Sequence, residues 1–261
     1  MAAISLDDAL DLTRTGDLWL FRGRTAADRA IQVTTNSPVN HVGMAVVIED
    51  LPPLMWHAEL GRSLPDLWSG AHQRGAQLHD LRAAVTVWAA RYGQRAWLRQ
   101  LDHPVTREME NAALRTIAIM DGTPFPATAR LAARWLRGRL PHLRTGLRPR
   151  LGPKRAPGTG PATGSDHPTG SGHAAGSDHA AGAAAGVDAG DGDGALETAY
   201  CAEVVAVTYA AMGLLPPGRL PSWYDPGRFW SGDELSLSGG ARLGDEIAVR
   251  VPVGAPPAAR T

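Results

Sequence analysis

His41-Val-Gly-Met-Ala-Val-Val-Ile-Glu49 is the stretch that decides the fold. It is a near-continuous apolar run of strand length between two polar ends. Pro52-Pro53 then turns the chain, and Met55–Leu60 reads as a partner strand. Upstream, Asp17–Phe21 is another apolar strand, followed by a short helix, Ala26–Thr34, that Thr25 caps. Downstream, Gln77–Leu81 and Ala84–Tyr92 read as further strands. Apolar residues at Met109, Ala112, Ala113, Ile117 and Met120 have helical spacing, so Thr106–Met120 reads as a helix that ends at Asp121-Gly122. A second helix is expected over Ala127–Leu140, and a third over Ala199–Met212 with Thr198 as N-cap and Gly213 as C-cap. Ile247–Val253 reads as the last strand. Strands and helices are partly segregated, which makes the expected class α+β, an antiparallel sheet packed on helices.

Composition divides the chain. Overall, 26 Lys+Arg balance 26 Asp+Glu, so the formal net charge is zero and gives no general argument for nucleic-acid binding. Residues 127–155 hold nine bases and no acid, whereas 156–195 hold five acids and no base. The second stretch has Val187 as its single sizeable apolar residue, in a background of Gly, Ala, Ser, Thr and Pro. Such a segment cannot bury enough surface to offset its ordering entropy. The expected organisation is one domain formed by 1–143 and 197–255, a disordered insertion over 144–196, and a flexible tail over 256–261. His167, His173 and His179 recur every six residues in the insertion, which reads as low-complexity drift rather than a metal tract.

Cys201 is the only cysteine. One thiol excludes an internal disulfide and a multi-cysteine metal cluster. With Thr198 as cap it would lie in the first turn of its helix, where exposed backbone N–H groups and the helix dipole favour a thiolate. The same amides can stabilise an oxyanion. A thiol nucleophile needs a base and the base an orienting group. His41 opens the decisive strand. His57 lies in the partner strand with Glu59 on its face, and a hairpin would bring it near His41. His72, His79, His103 and His142 are the other candidates in the ordered blocks. A metal site built on His41, His57 and Glu59 has suitable ligand types but no recognisable spacing.

Four segments together carry a resemblance: Gly16-Asp-Leu-Trp-Leu-Phe, Thr35-Asn-Ser-Pro-Val-Asn-His-Val-Gly-Met, Trp56-His-Ala, and Tyr200-Cys-Ala-Glu-Val-Val-Ala. Their order resembles the circularly permuted branch of the NlpC-type, papain-like cysteine hydrolases, the YiiX-like group, with lecithin:retinol acyltransferase as a more distant relative. The resemblance implies a permuted papain-like fold with Cys201 as nucleophile, His41 as base and His57 as orienter. Many bacterial members have Glu at the position of His57, so Glu59 is the alternative orienter. Asp17, Trp56 and Tyr200 are implied to lie near substrate. The implied function is a cysteine-dependent hydrolase working through a thioester on a small peptide, amide or lipid acyl substrate. An acyltransferase and a non-catalytic ligand-binding module are the alternatives.

No metal or cofactor is expected. The start of the sequence lacks the basic and apolar runs of a signal peptide, and no stretch approaches the length of a spanning helix, so the expected location is cytoplasmic. Arg130, Arg134, Arg137 and Arg139 surround the apolar residues of Ala127–Leu140, which suits weak contact with an anionic membrane.

Overall fold

Alternation along the central strands builds the molecule. In the computed structural model the decisive stretch forms β3 (His41–Val46), buried throughout. Its neighbours are β2 (Leu18–Arg22), β4 (Leu54–Glu59) and β5 (Gly75–Asp80). The structure describes residues 3–24, 37–123, 192–231 and 235–252, with side chains from Tyr200 onward in the last helix. All of them belong to one unit of the chain; a second unit, His142–Asp188, lies outside them. The expected helices Ala26–Thr34 and Ala127–Leu140, the insertion as far as residue 191, and the tail also lie outside them.

Seven strands form one sheet. β1 (Ile4–Ser5) and α1 (Leu6–Leu12) open the chain, and β6 (Arg95–Arg99) and β9 (Ile247–Arg250) complete the order β1-β9-β6-β2-β3-β4-β5. Every pairing is antiparallel except β1 with β9. A two-stranded ribbon of β7 (Leu101–Asp102) and β8 (Arg242–Leu243) stands beside it. Successive side chains on a strand point to opposite faces. Leu18, Leu20, Val42, Met44, Val46, Leu54, Trp56, Ala58, Ala76 and Leu78 accordingly share one core with α3 (Arg107–Met120) and α4 (Gly192–Ala211). Trp19, Phe21, Ala45, Met55, Ala96 and Leu98 share a second core with α1 and α2 (Leu81–Tyr92). The class is α+β, with helices on both sides of the sheet.

Local chemistry explains the helix ends. Ser5 and Asp8 form a capping box at α1. Thr106 caps α3, whose backbone ends at Asp121 ahead of Gly122 with φ 69°. α4 ends in a Schellman motif: Leu214 N–H donates to the Tyr209 carbonyl, Gly213 N–H donates to the Ala210 carbonyl, and Gly213 has φ 76°.

α1 and β6 had no counterpart in the sequence reading, and two expected elements come out differently. Ala84–Tyr92 is helical, not a strand: Asp80 caps α2 by accepting from the Ala83 N–H, and Gly93 closes it in the left-handed conformation. The β-branched run Val85-Thr86-Val87 suggested a strand, but the cap, the alanines and the terminal glycine prevail. The last helix begins at Gly192, inside the segment expected to be disordered and ahead of the expected cap Thr198. No helix among the described residues is long and apolar enough to cross a membrane.

Candidate functional site

The helix-side core takes Cys201. The residue lies halfway along the twenty-residue α4, fully buried, packed in the cluster that includes Val42, Met44 and Trp56. An amide in that position bonds the carbonyl four residues earlier, so it is not one of the open donors of a helix start. The first-turn thiolate and the oxyanion hole at Cys201 expected from Thr198 therefore have no basis in this helix. Glu203, expected near the helix start, is also buried mid-helix. Tyr200 is buried in the same core.

The opposite face takes the histidines. His41 follows Phe21 and Trp88, with ring centroids 5.8 Å and 5.1 Å away, and both of those residues belong to the second core. His57 also meets Trp88 edge-on at 5.0 Å. By alternation His41, Gly43 and Ala45 share one face of β3, while Val42, Met44 and Val46 face α4. The sheet thus separates His41 from Cys201, and the expected thiol–imidazole dyad is not assembled. In the sequence the separation is carried by strand parity, which sets His41 opposite to Val42 and Met44, the apolar partners of α4.

What the structure does assemble is a diagonal row of three imidazoles. His41 Nε2 lies 3.2 Å from His57 Nδ1, and His57 Nε2 lies 3.0 Å from His79 Nδ1. The row crosses β3, β4 and β5. Met44 pairs with Trp56, so the next step sets Gly43 against His57. A Cβ on Gly43 would meet the Met55 side chain at 2.7 Å and the His57 Cβ at 3.3 Å. His57 pairs with Gln77 and Met55 with His79, which places His57 and His79 on the diagonal. The three side chains are 6%, 0% and 1% exposed.

Burial keeps all three rings neutral at pH 7. It pushes His41 down to about 3 and His79 down to about 4, with the His79 imidazole adding to the effect at His41. His57 is pushed well below its ordinary range by burial first and then by His79 and His41. His79 Nε2 is buried without a hydrogen bond among the described residues. At His79 burial outweighs Asp66 and the Leu64 backbone, both of which favour the protonated ring.

Glu59 borders this row. Its carboxylate accepts from Ser63 Oγ at 2.8 and 2.6 Å, and Trp88 Nε1 donates to the same hydroxyl at 3.0 Å. Burial is the main cause that raises the Glu59 carboxyl above its usual range. His57, Glu59 and His79 each present a ligand atom, and these atoms all lie within 4.8 Å of one another. Parity had placed Glu59 with His57, but His79 stood only among the wider candidates. The signal for His79 was available: it shares a face with Gln77, across the strand pair from His57.

Asp17 and Trp56 serve the scaffold. Asp17 accepts from the Leu101 N–H and the Arg14 N–H, each at 2.8 Å. It therefore fastens the turn before β2 and spends its carboxylate on backbone, although it borders a groove of about 410 Å³ with Arg14, His103 and Glu110. Trp56 Nε1 donates to Thr208 Oγ1 of α4 at 3.0 Å, on the face opposite His57.

No family model matches the chain, and no curated protein matches it. Among solved structures, the chain is similar to the crystal structure of the metalloprotein yiiX from Escherichia coli O157:H7, at 20% identity and a TM-score of 0.33. The match covers 44% of this chain and 54% of that one, so this chain spans about half the length of that protein. This is a weak structural likeness.

Proposed function

We propose that this chain is a hydrolase of carboxylic esters or amides whose chemistry runs from the histidine face of the sheet, with Cys201 as core packing. The observation that supports this reading most is the continuous row His41–His57–His79. Three imidazoles inside an apolar cluster cost stability, because each ring must be desolvated. Such groups gather where a protein needs proton transfer or lone-pair donation. Each ring in the row can accept a proton at one nitrogen while releasing one at the other, so the row relays a proton by exchanging tautomers. His41, at the least buried end, is the entry point, and His57 positions it. The thioester route implied by the family resemblance needs Cys201 within hydrogen-bond reach of His41, and the sheet lies between them.

The test uses p-nitrophenyl esters of short and medium acyl chains with the full chain. His41→Ala and His57→Gln should each lower turnover by about 10²–10⁴-fold, the usual weight of an acid–base group. Cys201→Ala should leave turnover within about twofold, and the parent protein should show no acyl adduct on Cys201 by intact mass. Complete burial of His57 favours one rival, a non-catalytic binding module. Ester turnover equal to buffer in the unsubstituted chain would support that rival, and loss of turnover in Cys201→Ala would restore the thiol mechanism.

A further inference from the structure

The histidine row leaves a mismatch. The ligand atoms of His57, Glu59 and His79 lie within 4.8 Å of one another, a convergence that a proton relay does not need. A neutral imidazole is a good ligand, because no proton competes for its lone pair. We propose that His57 Nε2, His79 Nδ1 and a Glu59 carboxylate oxygen form a binding site for a zinc-class divalent cation, with His41 as the positioning residue behind His57. The inference deepens the proposed function and rests on it only for the use to which the cation is put.

Geometry carries the argument. Two nitrogens on one tetrahedral zinc, each at about 2.0–2.1 Å, stand about 3.3 Å apart. His57 Nε2 and His79 Nδ1 are 3.0 Å apart, on rings whose centroids are 4.9 Å apart. The outer nitrogens then find their roles. With Nε2 of His57 on the metal, Nδ1 carries the proton and donates to His41 Nε2, the arrangement in which ligand histidines are fixed from behind. With Nδ1 of His79 on the metal, its buried Nε2 carries the proton. Glu59 reaches the same point by turning its carboxylate away from one of two contacts with the Ser63 hydroxyl. A separation at the 4.8 Å limit of the cluster must close by about 1.5 Å to reach the spacing of ligand atoms on one tetrahedral metal. Two nitrogens and one carboxylate suit zinc, cobalt or iron and not magnesium or calcium, which take oxygen ligands.

The experiment uses the full chain, stripped with a chelator and titrated with Zn(II) and, separately, Co(II). One equivalent should bind, raise the Tm, and give visible Co(II) absorption without a thiolate charge-transfer band. His79→Gln and Glu59→Gln should weaken binding by at least about tenfold, and His41→Phe by about 10–100-fold. His57→Ala should abolish it. If His57→Ala does not fold, His79→Gln and the zinc-induced rise in Tm decide the matter. Unchanged binding in His79→Gln, a thiolate band lost in Cys201→Ser, binding that disappears with His167, His173 and His179→Ala, or no binding at all would each overturn the site. Zinc binding without ester turnover counts against the hydrolase reading alone; turnover that persists in the stripped, zinc-free chain counts against a catalytic use of the cation and leaves the binding site to the titrations.

Discussion

Gly43 shows how far a single residue can determine the site. It stands opposite His57, and its missing side chain lets the His57 ring lean toward His41. Gly43→Ala brings a methyl group against Met55 Cγ at 2.7 Å, which forces that side chain and then His57 to shift. The expected cost is about 1–3 kcal/mol, as for other overpacked cores, measured by urea denaturation. A change below the error of that measurement would show that Met55 moves freely and that Gly43 is not a spacing device. At this scale the sequence was partly legible. His41, His57 and Glu59 were recognisable because strand alternation relates residues two apart. His79 was harder, because its place depends on the register between two strands, which side-chain types alone do not set.

At the scale of elements, the apolar runs of β2 to β5 read correctly, whereas β6, with Ala96, Trp97 and Leu98 buried, was not expected as a strand. β2, β3, β4 and β5 follow the expected strands within a residue or a few at each end. α3 was legible from its cap and spacing. α2 was misread because Val85-Thr86-Val87 satisfies a strand as well as one face of a helix. The decisive information lay outside the run, in Asp80 and Gly93. The start of α4 was misplaced for a related reason. Gly192, Gly194 and the alanines near them resemble the preceding low-complexity tract, and only the continuing helix joins them to Tyr200 and Cys201. That displacement matters chemically, because it moves Cys201 from a helix start to its middle and removes the argument for an activated thiol.

At the scale of the whole molecule, the sheet is a partition. One side holds Cys201, Trp56 and Tyr209 among apolar neighbours; the other holds the imidazole row and Glu59. Parity along β3 contained this partition, but only the positions of α2 and α4 say which helix covers which face. The row also leaves a mark on pH dependence. An unfolded imidazole titrates near 6.5, whereas His79 in the fold titrates near 4. Between those values the unfolded chain binds more protons, so the stabilisation is complete above pH 6.5 and is lost as pH falls toward 4. Asp121 works in the opposite sense: burial first, then Asp66 beside it, raises it to about 6, so its contribution fades as pH rises through that value. The comparison with His79→Gln isolates the histidine contribution. Between about pH 7.5 and pH 5 the parent should lose more Tm than the variant, and equal losses would show that His79 is not buried neutral.

The partition itself is tested most directly by the reactivity of Cys201, since no other thiol competes. Iodoacetamide labelling of the native chain at about pH 7, followed by intact mass, should proceed only after denaturation and should be unchanged by His41→Ala. Rapid labelling of the native chain that His41→Ala slows would contradict the account, because it would require the thiol and the imidazole to share one face of the sheet.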